Sequence, residues 1–171
     1  MKRTRQSAIL GMVVLTLFGT SLATGGERPK SAAAFEQLIS LVGEWKGVVE
    51  STEIKLTYTL TADGSALMEE FRPSKGPVMI TMFSVDGDRL LATHYCSAGN
   101  QPNMATEAIT DPKAKRVTFS LVRVTGMTTQ EDWHNTGLVM LLEDEEHLTQ
   151  EWSYRYKGET GKRVFHFTRK Q

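Results

Sequence analysis

The sequence predicts an all-β fold: a short N-terminal helix, then about ten antiparallel strands closing as an up-and-down barrel. Three observations predict it. After Gly43 the helical spacing of apolar residues gives way to short alternating segments. Turn residues punctuate those segments: Asp63-Gly64, Asp86-Gly87 and Gly158 are hairpin signals, and Asp111-Pro112 opens a tight turn. No repeat, linker or low-complexity run divides the chain, so the strands form one meander, and closure removes the exposed edges that invite aggregation.

The elements follow in order. Residues 1–23 read as a signal peptide. Lys2, Arg3 and Arg5 form a positive n-region, Ala8 to Phe18 an apolar run, and Ser21-Leu22-Ala23 a small-residue cleavage site. The apolar run is short for a bilayer span, the two arginines are not a twin pair, and no cysteine stands near the cleavage site. The expected destination is the periplasm or the exterior, with no membrane anchor after cleavage. Residues 24–30, with two glycines and Pro29, read as a flexible leader, and the barrel domain spans 31–171. Ser31 is placed to cap a helix whose apolar positions are Ala34, Phe35, Leu38, Ile39 and Val42, and Gly43 ends it. Strands are expected at about 44–51, 53–61, 65–71, 78–85, 89–96, 103–110, 115–123, 137–143, 147–156 and 162–169. Two connections are long: Ser97 to Pro102, and Thr125 to Thr136, which has room for a helical turn.

Composition narrows the function classes. Cleavage after Ala23 leaves 148 of the 171 residues, enough for one domain with one core. The charge balance passes from 20 against 20 to 17 against 20. A net charge near −3 without a basic run argues against nucleic acid and anionic membrane as partners. Cys96 is the only cysteine, so no internal disulfide forms and stability must come from packing.

Two sets of residues carry a resemblance. Gly43-Glu44-Trp45, entered directly from the helix, resembles the Gly-x-Trp signature of lipocalins and calycins. The resemblance implies that Trp45 plugs the closed end of the barrel under an arginine of the last strand, Arg169 before Arg163, through a cation–π contact. A closer resemblance covers nearly all of the mature chain: His94 to Met104, His147 to Trp152 and Val164 to Lys170 resemble segments of a bacterial lipocalin-like family of unassigned function. That family is similar in architecture to nitrobindin, a ten-stranded haem-binding barrel. The resemblance bears on the fold and leaves the ligand open.

Candidate site residues come from strand parity, since residues two apart share a face. His94 and Cys96 project together. Leu148, Gln150, Trp152, Tyr154 and Tyr156 share the apolar face of the ninth strand, which carries Gln150 into the barrel. His166 alternates with Phe165 and Phe167, and its side is not decided by the pattern. The loop residues Asn100 and Gln101, and Asp132, Trp133 and His134 in the second long connection, either line the barrel mouth or simply make turns. Placed polar groups among apolar walls describe a small-molecule site; the plainer alternative is that these groups satisfy one another in a filled core. Cys96 beside His94 has the spacing of a thiol and its base, without a third orienting group. His94, His134 and His166 lie on separate elements, without metal-ligand spacing.

The expected function is binding of a small, largely apolar molecule in the interior. The ligand-binding set is His94, Cys96, Asn100, Gln101, His134, Gln150, Trp152 and His166, with Gly43, Trp45 and Arg169 structural. The alternatives are a haem- or metal-binding barrel using a histidine, and an enzyme with His94 as acid or base.

Overall fold

The computed structural model describes residues 28–171. The expected signal peptide and most of the leader lie outside the described residues. Helix α1 spans Lys30–Ile39 and is followed by β1 (Gly43–Val49), β2 (Thr52–Thr61), β3 (Ala66–Pro73), β4 (Met79–Asp86) and β5 (Arg89–Tyr95). The remaining strands are β6 (Gln101–Ala105), β7 (Arg116–Thr125), β8 (His134–Leu142), β9 (His147–Tyr156) and β10 (Glu159–Arg169). Each strand pairs antiparallel with its sequence neighbour, and β10 returns to β1 through Trp45↔Arg169, Lys46↔Thr168 and Gly47↔Phe167. The sheet is a closed ten-stranded barrel. Gly47 permits the closure: a Cβ there would stand 2.6 Å from the His166 carbonyl oxygen and 2.8 Å from the Phe167 ring.

Alternation drives the architecture. Inward positions such as Leu56, Leu67, Phe83, Leu90, Ala92, Phe119, Leu138, Met140, Leu148 and Phe167 are buried and form one core with Phe35, Leu38 and Leu41 from the helical end. The outward positions Lys46, Lys55, Glu70, Arg72, Glu151 and Lys162 carry charge; Lys55 pairs with Glu44 and Lys162 with Glu151 across neighbouring strands, and Arg72 with Glu70 along β3.

Helix α1 covers the end of the barrel where β4 turns into β5. Ser31 does not cap it. Pro29 holds the N-cap position, and Ser31 lies inside the first turn, buried, donating its hydroxyl to the Gly87 carbonyl at 2.7 Å. A residue expected to serve the helix locally instead ties it to the β4–β5 turn.

The same end holds Trp45. Its ring is fully buried, and its Nε1 donates to the Leu41 carbonyl at 2.8 Å. The Arg169 guanidinium lies 4.2 Å from the ring centroid and donates to the carbonyls of Ser40, Val42 and Glu145. These carbonyls include unpaired ones just past the helix, where a cation is favoured. Gly43 has a φ of +130°, and a Cβ there would come within 3.2 Å of the Arg169 guanidinium. Gly43, Trp45 and Arg169 thus form one structural unit.

Three element boundaries differ from the sequence expectation. Strand β6 starts at Gln101 and stops at Ala105, well before residue 110. There the Thr106 hydroxyl accepts the Leu90 N–H and donates to the Glu107 carbonyl, turning the chain out of the ladder. Strands β8 and β10 begin earlier than expected, at His134 and Glu159, because β9 and β10 stay paired up to the Lys157-Gly158 turn. The connection from Gly126 to Trp133 contains no helical turn. The Asp132 carboxylate accepts the Thr128 and Thr129 N–H groups and the Thr129 hydroxyl, holding the loop in a bent form.

Candidate functional site

One register row crosses four strands. Tyr58 on β2 faces Glu69 on β3, Glu69 faces Thr81 on β4, and Thr81 faces His94 on β5. All four point inward and are at most 4% exposed. Tyr58 donates its hydroxyl to Glu69 Oε2 at 2.6 Å. The Thr81 hydroxyl lies 3.2 Å from Glu69 Oε1 and 3.0 Å from His94 Nδ1. Gln150 on β9 reaches this row across the lumen, its Nε2 donating to Tyr58 Oη at 2.8 Å and to Glu69 Oε2 at 2.5 Å. Trp152, two residues on, donates its indole N–H to Gln150 Oε1 at 2.9 Å, and its ring packs 4.7 Å from the His94 ring.

Beyond this polar layer the barrel opens into a cavity of about 520 Å³. Glu69, His94 and Trp152 lie on its inner side, and Ile54, Phe71, Met79, Trp133, Tyr154 and Phe165 supply apolar wall. The Trp133 and Tyr154 rings stack at 5.6 Å, while Phe165 meets Phe71 edge-on at 5.3 Å. Glu50 and Lys75, from the loops after β1 and β3, and Lys162 and Arg163, on β10, contribute charge to the lining. His94 Nε2 makes no hydrogen bond among the described residues, whereas its Nδ1 is held by Thr81. The arrangement is a largely apolar container with one free imidazole nitrogen at its inner end.

Burial sets the electrostatics. Desolvation lowers the pKa of His94 from 6.5 to about 4, so the ring is neutral near pH 7. The unfolded chain takes up that proton at the higher value, so the stability contributed by a neutral His94 is complete above pH 6.5 and is lost as the pH falls towards 4. Glu69 acts in the opposite sense, because burial raises its pKa against the opposing hydrogen bonds of Tyr58, Gln150 and Thr81. Comparison with a His94→Asn variant cancels the shared carboxyl contribution. The stability advantage of wild type over that variant should shrink by up to about 3 kcal/mol on going from pH 6.5 to 4, measured by urea unfolding. A constant difference across that window would contradict neutral burial.

The structure brings His94, Gln150 and Trp152 together and disperses the other sequence candidates. His166 points outward, where its Nδ1 meets the Thr149 hydroxyl at 2.8 Å; the inward places on β10 belong to Phe165 and Phe167. His134 is buried outside the lumen, its Nδ1 donating to the Asp132 carbonyl at 2.8 Å. A bulge between Asn135 and Gly137 reverses parity on β8, so Asn135 rather than His134 lines the cavity. Cys96 is a buried free thiol beyond the end of β5, its sulfur accepting the Ala98 N–H, and it does not line the cavity. Gln101 braces the neighbouring loop through the Gly99 carbonyl and the Thr125 hydroxyl. Asn100 supports the mouth from behind, donating to the Trp133 carbonyl at 2.7 Å, with its Oδ1 buried and without a partner among the described residues.

Glu69, Tyr58 and Thr81 were absent from the sequence candidates. A parity signal existed for each: Glu69 alternates with Leu67 and Phe71, Thr81 with Met79 and Phe83, and Tyr58 with Ile54 and Leu56.

Fold and site together define a closed antiparallel β-barrel with a cavity at one end and a buried polar layer beneath it. Among solved structures, the crystal structure of Rv2717c from M. tuberculosis is similar, with a TM-score of 0.57 and 13% sequence identity over 81% of this chain and 98% of that one. At that identity the likeness shows a shared barrel fold. No protein-family model matches the chain, and no curated protein matches it.

Proposed function

We propose that this is an exported lipocalin-like barrel that binds a small, largely apolar molecule in its cavity. The observation that carries the reading is the cavity of about 520 Å³, walled by aromatic and aliphatic side chains, with His94 Nε2 free of partners among the described residues at its inner end. Apolar walls supply affinity and a single polar group supplies orientation. Filling the lumen with an apolar ligand removes aromatic surface from water at about 25 cal/mol per Å².

The outer surface supports a soluble carrier. Charged residues occupy outward positions on β1, β2, β3, β9 and β10, where a membrane barrel presents an apolar band to lipid. Among the described residues no helix is long and apolar enough to cross a membrane. Export rests on the n-region, apolar run and Ser21-Leu22-Ala23. N-terminal sequencing of protein from its native host should start at Thr24; an intact Met1 on membrane-bound protein would contradict export and cleavage.

Tryptophan fluorescence tests the binding reading. Two of the three tryptophans, Trp133 and Trp152, line the cavity. Titration with an apolar naphthalene probe should quench or shift their emission saturably. His94→Ala should weaken that binding about tenfold for a probe bearing a polar group, the equivalent of one hydrogen bond. A signal that does not saturate, or identical titrations of the two proteins, would contradict the site.

A second reading uses the same imidazole. His94 is the only histidine lining the cavity among the described residues, and its open nitrogen is neutral. His94 Nε2 would hold the iron of a haem, with Lys75 and Arg163 of the lining placed for its acidic substituents. Such a group would supply iron-centred ligand binding. Among the described residues no three His, Cys, Asp or Glu side chains gather as a metal site. An absorption spectrum of the purified protein separates the two readings.

A further inference from the structure

The hydrogen-bond donors of the buried layer can be followed one proton at a time. An indole N–H only donates, so the Trp152–Gln150 bond fixes the Gln150 amide with its oxygen toward Trp152 and its NH₂ toward Glu69. Glu69 Oε2 therefore receives the Gln150 N–H and the Tyr58 O–H and carries no proton of its own. We take the Glu69 carboxyl as ionised, the state that its three donors, Tyr58 and Gln150 at Oε2 and Thr81 at Oε1, favour against the burial that raises its pKa. The second oxygen, Oε1, faces only the Thr81 hydroxyl among the described side chains. Thr81 has one proton and two neighbours, Glu69 Oε1 and His94 Nδ1. When that proton goes to the carboxylate, the Thr81 oxygen can only accept from His94. A neutral imidazole has one N–H, which is then on Nδ1.

We propose that the Trp152–Gln150–Glu69–Thr81 chain locks His94 as the Nδ1–H tautomer, so that Nε2 presents a bare lone pair to the cavity and selects a ligand carrying a hydroxyl on an apolar body. An alcohol or phenol donates to that lone pair; the matching ether has no proton to give. This deepens the proposed cavity-binding function and rests on it. Glu69, Thr81 and Gln150 are positioning residues, and His94 alone meets the ligand's polar group. The apolar wall then holds the hydrocarbon part, through Ile54, Phe71, Trp152 and Phe165.

The chain also dictates how to reverse the selection. In Glu69→Gln the new amide keeps its oxygen under the Tyr58 and Gln150 protons and turns its NH₂ to Thr81. Thr81 must then donate to His94 Nδ1, and the imidazole proton moves to Nε2. Nitrogen-15 NMR of the histidines reads the tautomer without any ligand. Wild type should show a protonated Nδ1 and a bare Nε2 for His94, and Glu69→Gln should show the reverse. A protonated Nε2 in wild type overturns the inference.

Binding of 2-naphthol and 2-methoxynaphthalene supplies the second readout. Wild type should bind the naphthol about tenfold more tightly, the worth of one hydrogen bond, and Glu69→Gln should lose or reverse that preference. Thr81→Val breaks the chain without altering the carboxyl group and should also abolish it, which keeps the test decisive if Glu69→Gln does not fold. Equal affinities in wild type overturn the inference while leaving the cavity a binding site. Failure of both probes to bind overturns the cavity reading, and the ligand preference with it.

Discussion

Trp45→Ala should lower the unfolding free energy by about 3–5 kcal/mol, the cost of deleting a large, fully buried aromatic side chain. The size of the effect follows from the position. The ring lies in the barrel core, its N–H is bonded to the turn after α1, and the Arg169 guanidinium covers one face. Its loss leaves a cavity, strands the Leu41 carbonyl and removes the surface on which Arg169 rests while it binds three carbonyls. Exposed ion pairs such as Lys55–Glu44 are each worth at most about 1 kcal/mol and cannot compensate. Urea unfolding measures the difference, and a variant within about 1 kcal/mol of wild type would show that the unit of Gly43, Trp45 and Arg169 does not hold this end of the barrel.

Gln150→Ala should cost about 3 kcal/mol, although no charged side chain is removed. Among the described residues the Gln150 amide is the only link between the Trp152 indole N–H and the Tyr58–Glu69 pair. Truncation takes one donor from a buried carboxylate and leaves the indole N–H of the largely buried Trp152 without its protein partner. Hydrogen bonds to charged groups are worth about 1.5–3 kcal/mol, and the stranded N–H adds to that. The far-ultraviolet circular dichroism should remain that of a β-barrel, because the ladder hydrogen bonds of β9 are backbone bonds. Near-wild-type stability would mean that the buried layer is not a connected network.

Much of this architecture was legible in the sequence. The alternation along β9 placed Leu148, Gln150 and Trp152 inside the barrel, and the hairpin dipeptides located most turns within a few residues. Parity on β5 brought His94 inside. The Gly43-Glu44-Trp45 motif sits at the helical end of the barrel, on Arg169.

What escaped the reading has identifiable causes. Glu69 adjoins a second acid, Glu70, in a segment with apolar residues of both parities, Leu67 and Phe71 inside and Met68 on the other face. Nothing local says which carboxylate is buried, because its partners come from residues 11, 12 and 81 positions away. His134 reads as a loop residue at the barrel mouth, but it opens β8 and lies outside the lumen, and beside the bulge Asn135 takes the place that lines the cavity. His166 is flanked by Phe165 and Phe167 on one face and by Val164 and Thr168 on its own, so the pattern balanced until β10 paired with β9 and β1. Cys96 shares parity with His94 on paper, but the strand ends at Tyr95 and the thiol turns into the loop. For Trp133 the sequence leaves two alternatives open, lining the mouth or making a turn, because no periodicity operates in a loop; it lines the cavity, its carbonyl held by the Asn100 side chain from another loop.

The central claim is that the cavity between the polar layer and the barrel mouth holds a small molecule. The most direct measurement is mass spectrometry of the organic extract from protein purified undenatured from its native host, compared with a Thr52→Trp variant whose indole occupies the mouth. Binding in the cavity predicts a low-molecular-weight species on wild type, at about one per chain, that is missing from the variant. Extracts of identical composition from the two proteins would contradict it.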